Sequence, residues 1–315
     1  MELLDRLARF IPPPRRHLHR YHAVAVPNGA FGTSFSITTL LAHRGNLLAA
    51  GGFTSIGDVP ANNIACFDGS AFSSLGNGVA NGLNATVRAI AGLNGDIIVS
   101  GDFDYAGRTP AGGVAQLTQG QWQSLHKPSS GQSFSIAALL THQNQLFAGG
   151  SFESIGSSAA NNVARLDGGF WRTLSPGTGV SVGALSLASI GMDLYVGGNF
   201  AQAALGSLNP LSSRGIARWQ GNQWGFLGDG FAAGTNGSVR AMASFNGDIF
   251  AAGNFTTAGG FGDPIRNIAR FDGSRWRPLA TPPGSAPIGE VRGLAVAGGQ
   301  VSSNAVRYFP NPAGQ

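Results

Sequence analysis

The stretch NIARFDGSRW, Asn267 to Trp276, is nearly repeated as NVARLDGGFW from Asn162 to Trp171. Looser copies read NIACFDGSAF from Asn63, GVAQLTQGQW from Gly113 and GIARWQGNQW from Gly215. Each pairs an apolar run with an Asp-Gly or Gln-Gly step and an aromatic residue just beyond it. Such steps between apolar runs signal a β-hairpin. The ten residues therefore read as two strands, here called C and D, and Asp-Gly as the turn between them. The Trp or Phe closes an outer core, since a large ring buries on the order of 150–250 Å².

Working outward, a Phe follows a Gly-containing strand end at Phe53, Phe103, Phe152, Phe200 and Phe255, at spacings of 48 to 55 residues. The apolar run before each Phe is strand B: NLLAAGGF, DIIVSGDF, QLFAGGSF, DLYVGGNF and DIFAAGNF. Before it lies another apolar run, strand A, as in VRAIA from Val87 and VRAMA from Val239. Asn94-Gly95 and Asn246-Gly247 join A to B, again as hairpins. Four antiparallel strands in a period near fifty predict an all-β chain: a β-propeller with six blades of four strands. Two columns of strand A support this reading. Thr39, Ala89, Ala138, Ser186, Ala241 and Gly293 are all small, and their successors Leu40, Ile90, Leu139, Leu187, Met242 and Leu294 are all large and apolar. Crowding of inner strands explains a column that stays small; strand alternation alone does not require it.

The pattern GGxF…NIAxxDGxxW resembles kelch-like β-propellers, and more closely the Gly-rich propeller repeats of bacterial surface proteins and fungal cortical markers. It spans about residues 32–309. The resemblance implies a propeller and leaves function open, since one fold hosts many activities. Asp boxes of sialidases place one residue between Asp and Gly, whereas here Gly follows Asp68, Asp167 and Asp272 directly. Six A strands face five complete C–D hairpins, so HAVAVPNGAF, His22 to Phe31, is expected to supply missing outer strands and close the ring.

Residues 1–28 differ from the rest. Leu3, Leu4, Leu7 and Phe10 predict a short amphipathic helix ended by Pro12-Pro13-Pro14. The segment from Ile11 to His22 resembles the C-terminal part of rolling-circle insertion-sequence transposases, which implies a fused remnant. The domain reading is thus a basic tail over 1–28 and a propeller over 29–315. The chain's net charge of +5 sits mainly in this tail, where Arg6, Arg9, Arg15, Arg16 and Arg20 face Glu2 and Asp5. The nearly neutral body excludes a broad nucleic-acid footprint, leaving nucleic acid a role only through the tail. His17-Leu18-His19 matches the letters of a nuclease metal motif, but its strand and tyrosine context is missing. No signal peptide or membrane-spanning run is read, so the chain as it stands reads as cytoplasmic, although related propellers are often extracellular.

No catalytic set emerges. His43, His126 and His142 fall at unrelated repeat positions, Cys66 is alone, and Glu occurs only as Glu2, Glu153 and Glu290. No metal and no cofactor is expected. Three residues repeat at one place: Arg88, Arg240 and Arg292 are each the second residue of a strand A. They enter from the face of the B–C loops, which include an insertion over Leu205 to Ser213. Guanidinium suits carboxylate or phosphate, so this column is the candidate anion site. Pairing with neighbouring acids or carbonyls is the competing outcome. The function expected is a non-catalytic binding or scaffolding module for a protein or carbohydrate ligand that the sequence does not name. The alternatives are a glycosidase-like hydrolase and a DNA-binding, transposase-derived role of the tail.

Overall fold

The computed structural model describes residues 36–76, 82–126, 134–174, 179–225, 227, 234–259, 265–279, 290–297, 300–303 and 307–308. The predicted N-terminal helix, the transposase-like tail and the closing segment at 22–31 lie outside them. All described regular structure is β, and among the described residues no helix is long and apolar enough to cross a membrane.

Five four-stranded antiparallel sheets follow one another, each in the order A-B-C-D, and a three-stranded sheet comes sixth. The first comprises Ser36–His43, Asn46–Gly52, Ile64–Phe67 and Phe72–Ser74. The fifth comprises Ser238–Phe245, Asp248–Asn254, Ile268–Phe271 and Trp276–Pro278. The sixth holds Leu294–Ala297, Gln300–Ser303 and Arg307–Tyr308. A feature the sequence reading missed is a two-stranded ribbon between B and C, such as Ser55–Ile56 with Val59–Pro60. The insertion after Phe200 is this ribbon enlarged, pairing Gln202–Ala203 with Leu211–Ser212.

The chain forms two compact units, Met1–Ala159 with Arg165–Arg172, and Ala160–Ala164 with Thr173–Gln315. In the first unit the A strands of the first three sheets lie side by side. Thr38 Oγ1 donates to Val87 O at 2.5 Å and Thr141 Oγ1 donates to Gly92 O at 2.7 Å across that seam. In the second unit the A strand of the fifth sheet lies between those of the fourth and sixth. Both the small and the large column are buried, from Thr39 and Leu40 to Ala241 and Met242. Successive strand residues point to opposite faces, so burial of both columns means that each inner strand is covered on both sides. Apolar layers fill the spaces, one built on Leu48, Ile64, Val99 and Phe103, another on Ile216, Val239, Ile249 and Phe271.

Local chemistry explains the opening motif. Its first residue takes a left-handed backbone: φ is 64° at Asn63, 68° at Asn162 and 61° at Asn267, and 85° and 71° where Gly113 and Gly215 replace Asn. Only Gly and, less readily, Asn adopt this freely. Asn adds a clamp, since Asn63 Nδ2 donates to Leu83 O at 2.6 Å and Asn162 Nδ2 to Val180 O at 2.8 Å. The C–D turn takes two forms. With Gly at the third position, Gln119-Gly120 and Gly168-Gly169 both reach positive φ and make a two-residue turn. With Ser there instead, Asp caps the turn: Asp68 Oδ1 accepts from Ser70 N and Ala71 N, and Asp272 Oδ1 from Ser274 N and Arg275 N. These N–H groups hold both carboxyls below the usual carboxylate range.

Candidate functional site

Every four-stranded sheet has a bulge at one place on strand A. Pairing with strand B skips between Ile37 and Thr39, Val87 and Ala89, Ile136 and Ala138, Ala184 and Ser186, and Val239 and Ala241. The extra residues are therefore Thr38, Arg88, Ala137, Leu185 and Arg240. Strand B permits this with Gly: a Cβ on Gly101 would run into Thr86 O, and one on Gly253 into Ser238 O. A bulge re-aims the side chain it carries, and two of the three candidate arginines stand on one.

Arg88 lies in the first unit, where its Nε donates to Asp102 Oδ1 at 2.7 Å. Asp102 follows Gly101 in strand B, so this pair closes within one hairpin. In the second unit the corresponding residue is Asn254, which offers no charge. Arg240 instead pairs with Glu290 Oε1, just ahead of the next inner strand, and Arg292 Nε donates to Glu290 Oε2 at 2.7 Å. Burial opposes the charge on Glu290, yet the hydrogen bond from Arg292 and the nearby Arg240 hold its carboxyl below the ordinary value. The structure thus brings Arg240 and Arg292 together around one carboxylate and gives Arg88 a carboxylate of its own.

The same face carries a corner that sequence reading missed. In the first unit, between the first two sheets, Leu83 N donates to Asn62 O, and Asn84 Oδ1 accepts from Asp104 N and Tyr105 N. In the second unit, between the fourth and fifth sheets, Thr235 N donates to Arg214 O, and Asn236 Oδ1 accepts from Thr256 N and Thr257 N. The backbone scheme is identical. The side chains are not: Asn62, Asp102 and Asp104 in one corner correspond to Arg214, Asn254 and Thr256 in the other. The second corner opens into a groove of about 540 Å³ lined by Asn199, Phe200, Arg214, Asn236, Asn254 and Thr256 among others, with no carboxylate among its described lining residues.

Several other titratable groups serve the scaffold. Strand B opens with an acid bonded to strand C: Asp96 accepts from Gln116 and Asp248 from Arg270, both at 2.7 Å, and Asp193 lies 3.6 Å from Arg218. His126 is buried and stacked on Phe134, its Nδ1 accepting from Gly156 N at 3.2 Å, so the proton sits on Nε2. Burial pushes its pKa down. Burial likewise lowers His43, partly offset by its contact with Gly95 O. Burial and the charge of Asp68 raise the Cys66 thiol, which leaves it a poor nucleophile. Among the described residues no group of His, Cys, Asp and Glu is arranged to hold a metal ion.

No family model matches the chain. No curated protein matches it. Among solved structures it is similar to the crystal structure of the computationally designed Ika8 protein, at 14% identity over 87% of this chain and 69% of that one, with a TM-score of 0.47. It is also similar to the designed Ika4 protein, at 15% identity over 54% of this chain and 87% of that one, with a TM-score of 0.34. The four-stranded repeat therefore rests on the strand pairing of this chain itself.

Proposed function

We infer that the chain is a non-catalytic binding module, built as a six-bladed, kelch-like β-propeller that presents its B–C loops to a ligand. The observation that carries this reading is how the polar groups are spent. Asp68, Asp96, Asp102, Asp248, Asp272 and Glu290 are all committed to turns, cross-strand bonds or arginines. A glycosidase needs two carboxylates facing one cleft, and the described residues of the groove wall include none. The propeller part of the reading is supported by successive inner strands lying side by side within each unit. Anion recognition by Arg88, Arg240 and Arg292 stays within the proposal with unequal weight. Arg88 is neutralised by Asp102, while Arg240 and Arg292 share one carboxylate and keep one positive charge in excess.

The test uses the full chain, immobilised, and a panel of soluble neutral and acidic oligosaccharides. Retention of some members, recovered chemically unchanged, is the expected result. Cleavage of any member overturns the non-catalytic reading. Calorimetry with sulfate and phosphate on Arg240→Ala and Arg292→Ala then examines the arginine column; heats equal to wild type remove it.

A further inference from the structure

We propose that the corner between the fourth and fifth sheets is a binding site for an acidic saccharide carrying one carboxylate per recognised unit, with Arg214 holding the carboxylate and Asn199 and Asn254 holding ring hydroxyls. This rests on the binding-module reading and names the ligand class of that face.

The argument starts from what is left unspent. Arg214 is exposed and makes no ion pair with another described residue, as also holds for Arg266 and Arg275 of the same unit, but it is the arginine that lines the groove. Asn199 and Asn254 are exposed, line the groove, and form no side-chain hydrogen bond with another described residue. Asn236 beside them is consumed in pinning Thr256 and Thr257. Two kinds of polar residue thus occur in one corner, those that fix the backbone and those that are exposed without a side-chain partner among the described residues.

The corner is built on fixed backbone. Arg214 O accepts from Thr235 N at 2.8 Å, and Gly215 follows it with φ 71°, where a Cβ would strike Thr235 Oγ1. Asn254 ends strand B of the fifth sheet and Asn199 directly follows strand B of the fourth, each one residue before the buried Phe255 or Phe200 that lines the groove. Its volume is of ligand size, since small-molecule sites run to about 300–1,000 Å³.

The donor set selects the ligand. A guanidinium offers a fork of N–H donors matched to a carboxylate. A carboxamide both donates and accepts, which suits a pair of adjacent hydroxyls. A single arginine without Lys or a second arginine in the wall balances one negative charge better than a phosphate dianion. Among the described lining residues there is no carboxylate, so the repulsion that Asp104 would impose at the equivalent corner of the first unit has no counterpart in them.

The experiment titrates oligogalacturonate, the matched neutral galactose oligomer and inorganic phosphate into the full chain, by calorimetry at low and moderate salt. The acidic oligomer is expected to bind, more weakly as salt rises, and the neutral oligomer at least about tenfold more weakly. Arg214→Gln should lose about tenfold for the acidic oligomer and leave the neutral one unchanged, and Asn254→Ala should weaken both. Circular dichroism and thermal midpoints establish that both variants fold; their sites are exposed. Equal binding by Arg214→Gln and wild type overturns the site while leaving a binding module elsewhere on the chain. Phosphate binding as tightly as the oligomer, with the same loss in Arg214→Gln, overturns the saccharide assignment. No binding of any glycan by wild type overturns both the site and a carbohydrate-binding module.

Discussion

The two corners compared above share a backbone and differ in charge. In the first unit, Asn84 pins the loop at Asp104 and Tyr105, and Arg88 and Asp102 neutralise each other inside one hairpin. In the second, Asn236 pins Thr256 and Thr257, Asn254 replaces the acid, and Arg240 is paired instead through Glu290. Because the bulge, the Gly opposite it and the pinning Asn are the same, the difference is not architectural. The repeat fixes where side chains emerge. Single substitutions at those exits then decide whether a corner is internally neutral or open to an anion.

The comparison breaks most severely if the shared bulge is not needed equally. Gly101→Ala and Gly253→Ala each add a methyl against a backbone oxygen that no rotamer can move, so each should cost about 2–3 kcal/mol in urea unfolding. A tolerated change at one position only would mean that the two corners are built differently. Next in size are the pinning residues. Asn84→Ala and Asn236→Ala each strip the acceptor from two backbone N–H groups at an exposed loop, and about 1 kcal/mol from each is expected. Hydrogen exchange should speed up at Asp104 and Tyr105 in one variant and at Thr256 and Thr257 in the other.

Acid should separate the units more gently. The second unit contains no His after residue 173, whereas the first buries His126. A lowered folded pKa means that the unfolded chain binds the proton more readily. The stability His126 confers is therefore present above its ordinary pKa of about 6.5 and is lost as pH falls from there towards the folded value. The slope stays under about 1.4 kcal/mol per pH unit. Protection of Gly156, whose N–H bonds the imidazole, measured relative to intrinsic exchange, should fall as pH drops over that range in wild type and stay level in His126→Gln. The smallest effect belongs to the ion pairs. Asp102→Asn leaves one arginine unmatched and Glu290→Gln leaves two, yet all three arginines are substantially exposed, so losses of about 0–1 kcal/mol are expected. Glu290→Gln should be the larger and should shrink as salt is added, visible in thermal midpoints at 0.05 and 0.5 M NaCl. Equal and salt-independent shifts would remove the distinction between the corners.

Much of this was legible from the letters. The Phe spacing, the Asp-Gly and Asn-Gly steps and the paired small and large columns located every four-stranded sheet, because turn preference and strand alternation act over a few neighbouring residues. Asn or Gly at the head of strand C was equally readable in retrospect: five copies that use only those two residues signal a left-handed backbone. The short ribbons between B and C were missed because two-residue strands carry no periodicity. The arginine column was visible, but its charge balance was not. Arg88 meets an acid of its own hairpin, while Arg240 meets Glu290 from the following repeat, and only the packing of adjacent inner strands selects between them.

By itself, then, the sequence determined the repeat, its strands, its turns and its buried columns, since each depends on backbone preference and apolar pattern within one repeat. The tertiary structure decided that Arg240 meets Glu290 of the following repeat rather than an acid of its own hairpin, and that Arg214, joined to Thr235, stands beside Asn199 and Asn254. Those outcomes depend on the distance between groups far apart in the chain. That distance is set by how one sheet stacks on the next, which no local pattern encodes.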